Sequence, residues 1–205
     1  MINALLIISV VIGLSLQHIT KKSFNQKLEG KGVICFSALS SLIAAFFFIF
    51  QIKFPFQFDI SLIPYTIIFG LGFGSCVVCS ILAILNGSLS LTSLITSYSL
   101  IIPTLYGMLF LKEKISLYLL VGLMLLLISL FLINFVKGDN KINLKWLLYV
   151  TIAFFGNGVC STAQKVQQVD FEGKYKAEFM SISLIIIVIV LLVYTFLKEK
   201  KDIIS

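Results

Sequence analysis

Cys76-Val77-Val78-Cys79 has the spacing of a metal- or redox-active dithiol, and Cys35 and Cys160 bring the thiols to four. All four fall in apolar sequence, and a chain whose one histidine is His18 offers no partners to complete a metal site. Small apolar packing residues are the reading that fits them. The sequence holds no metal-ligand cluster, no nucleophile with a base, and no glycine-rich phosphate loop following a strand. No catalytic residue, metal or cofactor is therefore assigned, and an enzyme is not expected.

The chemistry the sequence does offer is neutral hydrogen bonding. Ser90, Thr92, Ser93, Thr96, Ser97, Tyr98 and Ser99 crowd together just ahead of Pro103 and Thr104. Proline lacks a backbone N–H, so Pro103 is expected to free the Ser99 carbonyl and kink a helix there. A kinked, hydroxyl-lined helix suits a cavity wall, but membrane helices also bond such hydroxyls to their own backbone or to a neighbour, and both readings stand. A later stretch, with Gly156, Asn157, Gly158 and Gln164, is polar and breakable in the same way. With Gln17 and His18 from the first apolar stretch and Ser75 from the third, the candidate substrate-contacting set is Gln17, His18, Ser75, Thr96, Ser97, Tyr98, Ser99, Asn157 and Gln164. Ionisable groups are scarce in the apolar stretches. Glu178 reads as a helix-start acid favoured by the helix dipole, with a proton-coupling carboxylate as the other reading.

The elements that must carry these groups are apolar throughout. The 205-residue chain is 59% hydrophobic and 12% charged, with mean hydropathy +1.08, which fits an all-α integral membrane protein and not a water-soluble domain. Seven stretches approach the roughly 20 residues that a bilayer-spanning helix needs: Ile2–Gln17, Val33–Phe50, Ile63–Leu85, Leu89–Leu111, Ile115–Val136, Trp146–Ala163 and Phe179–Leu197. They are continuously apolar rather than alternating, which favours helices over a barrel. Lys21 and Lys22 follow the first stretch instead of preceding it, so it reads as a span and not as a removable signal.

Between the third and fourth stretches only Asn86, Gly87 and Ser88 remain, which predicts a helical hairpin with Gly87 in the left-handed conformation. Gly70, Gly72 and Gly74 make a small-residue face for close helix packing. Lys53 to Phe58, with three aromatics, a proline and a cation, has headgroup-level composition. The 16 basic residues are all lysine, and the net charge of +7 fits anionic lipid headgroups; nothing resembles a nucleic-acid groove. Lysine is commoner in the loops after the first, third and fifth stretches and in the tail, which would place those segments in the cytoplasm and the N-terminus outside.

One tripeptide occurs twice. Glu29-Gly30-Lys31 recurs as Glu172-Gly173-Lys174, a shift of 143 residues at which Gly13 also meets Gly156, Lys22 meets Lys165, Phe36 meets Phe179 and Ser40 meets Ser183. This reads as an internal repeat. Residues 1–137 form one complete five-helix repeat and 138–205 two helices of a second. A repeat with an odd number of spans inserts its second copy upside down, and inverted repeats meeting at the midplane imply alternating access to a central site.

Ser88-Leu89-Ser90-Leu91-Thr92-Ser93-Leu94-Ile95, then Pro103, then Phe110-Leu111-Lys112-Glu113-Lys114 and Val121-Gly122-Leu123, resemble the drug/metabolite transporter superfamily, in its EamA-type branch. The resemblance implies ten spans in two inverted halves and transport of a small metabolite across the cytoplasmic membrane, with Glu113 matching a structural turn glutamate. It also implies an N-terminus inside in many members, opposite to the lysine count. The second half would need three more spans, so the chain reads as C-terminally truncated, and the first stretch has no acid like that of the small multidrug relatives. The expected function is alternating-access transport of an amino-acid-like, sugar-like or drug-like solute. The alternative is a non-transporting remnant or helical subunit that needs a partner. Expected partners are the lipid bilayer, a small-molecule substrate, and either a second copy or separately supplied C-terminal helices, with no nucleic acid. Abundant Lys, Ile, Asn and Phe point to an AT-rich bacterial source and hence to a multi-pass protein of the bacterial plasma membrane.

Overall fold

In the computed structural model the described residues are 32–52, 59–113, 116–136 and 143–199, with positions 8, 9, 12, 13, 16, 20 and 23. Among them every regular element is helical. The helices are α1 (Val33–Phe50), α2 (Ile63–Asn86), α3 (Leu89–Tyr98), α4 (Ile101–Leu109), α5 (Leu117–Val136), α6 (Leu144–Asp170) and α7 (Lys176–Glu199). Five segments are long and apolar enough to cross a membrane: Val33–Phe50, Ile60–Asn86, Leu89–Leu109, Leu144–Asp170 and Lys176–Leu197. The expected stretch Ile115–Val136 contains the helix α5, which is described from Leu117. The expected first span lies largely outside the described residues, as does the loop from Lys53 to Phe58.

Local signals start and stop these helices. A single 3-10 turn, Ile60–Leu62, leads into α2, and Asp59 caps it by accepting from the Ser61 N–H at 2.9 Å and the Ser61 hydroxyl at 2.6 Å. Pro64 sits in the first turn of α2, where its missing N–H costs nothing. Ser88 caps α3 and Asn143 caps α6. The α6–α7 turn is made by the repeated tripeptide: Glu172 and Gly173 both take positive φ, 51° and 74°, and the Gly173 N–H closes back on the Gln168 carbonyl at 2.8 Å.

Gly87 departs from expectation. It is extended (φ −167°, ψ −155°), not left-handed. Its smallness serves packing instead, because a Cβ there would run into the indole of Trp146.

α2 is the hub and packs most extensively on α6, then on α7; α1 packs on α7, and α3 and α4 pack on α6. Tyr65 meets Asp170 at one end of the α2–α6 pair and Gly87 meets Trp146 at the other, so the two helices are antiparallel. The three glycines divide the work: Gly70 and Gly74 seat Ile186 and Val190 of α7, while Gly72 faces Gly156 and Cys160 of α6. A Cβ on Gly156 would lie 2.8 Å from the Gly72 carbonyl oxygen, closer than real side chains come. The core around this crossing joins Ile34, Ala38, Phe69, Val78, Cys160, Phe179, Ile187 and Leu191.

Candidate functional site

The fourth apolar stretch is two helices. α3 stops at Tyr98, Ser99 and Leu100 form a turn, and α4 starts at Ile101 with Pro103 buried in its first turn. The Ser99 carbonyl, which Pro103 cannot satisfy, accepts from the Ile102 N–H at 3.0 Å. The break thus recaptures, by a tighter turn, the carbonyl expected to be free.

α6 holds both halves with polar contacts along its length. Trp146 Nε1 donates to the Thr92 hydroxyl at 2.9 Å. Asn157 Nδ2 donates to Ser99 Oγ at 2.6 Å and to the Thr96 carbonyl at 3.4 Å. Lys165 Nζ donates to Glu113 Oε2 at 2.6 Å and to the Pro103 carbonyl at 3.3 Å. Contacts at 92, 99 and 103 meet 146, 157 and 165 in ascending order, so the broken span runs parallel to α6. Between the second and third contacts, Ile102 seats against Gly158, which has no side chain to obstruct it.

The hydroxyls face both ways. Thr92 and Ser99 each donate to their own helix, to the Ser88 carbonyl at 2.8 Å and the Thr96 carbonyl at 2.6 Å, while accepting from α6. A hydroxyl can do both because it carries one donor and two lone pairs. With Thr92 at 1% and Ser99 at 0% exposure, these bonds are sealed from outside the bundle.

The candidate residues fall in several places. Thr96, Ser99 and Asn157 meet at the break, and Tyr98 is buried beside them. Ser97 is exposed and bonds only down its own helix among the contacts described, to the Ser93 carbonyl at 2.9 Å. Ser75 lies against Gly156 and lines an open apolar groove of about 810 Å³ with Gly72, Cys79, Phe155 and Tyr194. Gln164 lies on α6 in a stripe with Asn157, Ser161 and Gln168, residues that fall within a sector of roughly 60° at 3.6 residues per turn. Asn157, Ser161 and Gln164 are half-buried and Gln168 exposed. Gln17 and His18 lie outside the described residues. Glu178 lies in the first turn of α7.

Sequence reasoning did not anticipate Trp146 or Lys165 at this seam. Lys165 lay beyond the expected end of its span at Ala163, whereas α6 runs from Leu144 to Asp170, 27 residues in all. At 1.5 Å per residue that is about 40 Å, past the roughly 30 Å hydrocarbon layer. The signal was the polar stripe, whose helical spacing runs on through Gln168. Beyond it Tyr65 donates to Asp170 at 2.6 Å, across the same end of the bundle. Cys76 and Cys160 are buried, Cys79 is partly buried and Cys35 exposed; among the described residues no group of three His, Cys, Asp or Glu side chains could hold a metal ion.

These features define the class: a helical membrane protein whose fourth apolar stretch is broken and pinned to a long, polar-striped helix. No protein-family model matches the chain, and neither the curated proteins nor the solved structures give a match.

Proposed function

We propose that the protein moves a small polar solute across a bacterial plasma membrane by alternating access, as the resemblance to EamA-type transporters implies. One observation carries this reading: a discontinuous apolar helix, α3–α4, is hydrogen-bonded to α6 through Trp146, Asn157 and Lys165, and Asn157 belongs to that helix's neutral polar stripe. Irregular backbone at membrane depth is tolerated where it is buried in protein or lines a cavity, and secondary transporters build substrate sites from such breaks. Asn157, with Thr96 and Ser99, lies at the break, and Gln164 extends the polar surface along α6. Polar groups placed there cost stability unless they are used.

The second reading, a helical subunit that works with partner helices, has its own support. Beyond marginal contacts α5 touches only α3 among the described elements, and Leu117, Tyr118, Met124 and Leu125 are exposed. Reconstitution into phosphatidylethanolamine/phosphatidylglycerol vesicles separates the two. Transport predicts counterflow of a radiolabelled solute that Asn157→Leu abolishes, whereas a subunit gives no flux until partner helices are added.

A further inference from the structure

Among the described residues, Lys165 is the cation that bonds across the seam between the broken span and α6. It stands five residues before the end of that helix, one turn after Ser161 and at the edge of the polar stripe. An ammonium has three N–H donors. One goes to Glu113 Oε2 at 2.6 Å and a second to the Pro103 carbonyl at 3.3 Å. Gly107 makes the space, since a Cβ there would strike both the Lys165 ammonium and the Glu113 carboxylate.

The two partners are not equally held. The Lys165 side chain is 27% exposed and Glu113 45%. Lys165 projects from a continuous helix, while Glu113 sits on the turn after α4, where Lys112 takes a φ of 52° and the Glu113 N–H closes back on the Gly107 carbonyl at 3.1 Å. The acid is thus the outer partner, on a turn, and the cation the inner one. An anion beside a cation partly withdrawn from water offsets some of the hydration it has lost. Another carboxylate can serve as well as Glu113 if it arrives along the stripe, where Ser161, Gln164 and Gln168 supply donors and acceptors for the rest of a solute.

We propose that Lys165 is the anchor for the carboxylate of the transported solute and that Glu113 is its resident counter-ion, displaced when the solute binds. This assigns monocarboxylates as the substrate class and rests on the transport reading above. At the ammonium the exchange is charge for charge: one carboxylate leaves Nζ as another arrives, and Glu113, the more exposed partner, carries its own charge out to water. The Pro103 carbonyl stays on Nζ throughout, which couples occupancy to the start of α4.

The test uses the full chain in nanodiscs, with propionate, hexanoate and phenylacetate each compared with its neutral amide. Carboxylates should raise the melting temperature in a saturable way and the amides should not. Glu113→Gln, which removes the internal competitor, should bind carboxylates about tenfold more tightly, the scale of one charge-assisted contact. Lys165→Gln should lose the response. Because that variant leaves Glu113 unpaired, the double variant Lys165→Gln/Glu113→Gln, with no orphan charge, is the second check and should also be unresponsive. Equal stabilisation by acids and amides, no response in either wild type or Glu113→Gln, or a weaker response in Glu113→Gln would each overturn the assignment. Counterflow of the same compounds in vesicles separates the two ideas. Flux of amides without carboxylate preference leaves transport standing and removes the Lys165 role. Carboxylate binding without any flux does the reverse.

Discussion

Asn157 and Ser99, 58 residues apart in sequence, are joined by a 2.6 Å hydrogen bond at the point where the fourth apolar stretch breaks. The same carboxamide also reaches the Thr96 carbonyl, which already accepts the Ser99 hydroxyl at 2.6 Å. One side chain of α6 therefore ties together the last turn of α3 and the residue that ends it. Whatever changes shape at the break must change this contact too.

Replacing Asn157 by leucine removes both donors and keeps the volume apolar. Ser99 retains its own bond to Thr96, so no buried donor is orphaned and the stability loss should stay near about 1 kcal/mol, the net worth of one hydrogen bond. Under the proposed transport function, flux should fall far more than stability, by at least about tenfold, since a contact at a break that rearranges would govern the rate. Counterflow and thermal unfolding measured on one preparation check the split; an unfolding loss that accounts for all the lost flux would make Asn157 purely structural.

Trp146 and Thr92 form the contact at the other end of the seam, and both are buried. Trp146→Phe and Thr92→Val each remove one partner, and the double variant removes both. The cycle should return a coupling of about 1 kcal/mol, with the single changes non-additive because they share one bond. Unfolding in detergent read by circular dichroism gives the three differences; additive changes would mean that the indole is held by packing against Gly87 alone.

The apolar stretches were legible because lipid leaves little choice: a span needs a long apolar run, and α1, α2, α6 and α7 begin close to where such runs begin. Their ends were less legible where charge intervened. Lys165 read as loop, yet the helix carries it to Asp170 because its ammonium finds Glu113 and the Pro103 carbonyl across the seam. Gly87 was singled out for backbone freedom, but the constraint there is the indole of Trp146, a contact of long sequence separation that no local signal announces. Asn157 and Ser99 were both named as candidates from their polarity among apolar neighbours. Their pairing was not readable, since residue types fix what can bond and only packing fixes with what.

Asp59 gives a prediction in pH outside the spans. Hydrogen bonds from the Ser61 hydroxyl and the Ser61 N–H hold its carboxyl below the ordinary value of 3.8. A lowered folded-state value means that the ionised cap stabilises the α2 entrance above the ordinary carboxylate pKa, and that this contribution fades as pH falls through the lowered value. Asp59→Ala should therefore lose stability relative to wild type at neutral pH, with the gap closing in acid. Carbon-detected NMR of the Asp59 carboxyl reads the titration directly, and an unshifted midpoint would show the cap open.

Gly72 and Gly156 face each other where α2 and α6 cross, and this contact yields the largest expected loss. Each glycine would place a Cβ against the other's carbonyl oxygen, at 3.0 Å and 2.8 Å, and backbone oxygens cannot move aside as a flexible side chain can. Gly156→Ala must therefore push α6 off α2 along the most extensive contact in the fold, at a cost of about 1–3 kcal/mol by the overpacking rule. Gly122 in α5 is the matched control, since a Cβ there meets nothing within 4 Å. Gly122→Ala should be neutral or gain up to about 1 kcal/mol, because glycine in a helix interior is the weaker former. Melting temperatures of the two variants, one falling and the other level or rising, separate a packing requirement from a general dislike of added methyl groups. Equal losses at both positions would mean that the α2–α6 approach is looser than its two glycines allow.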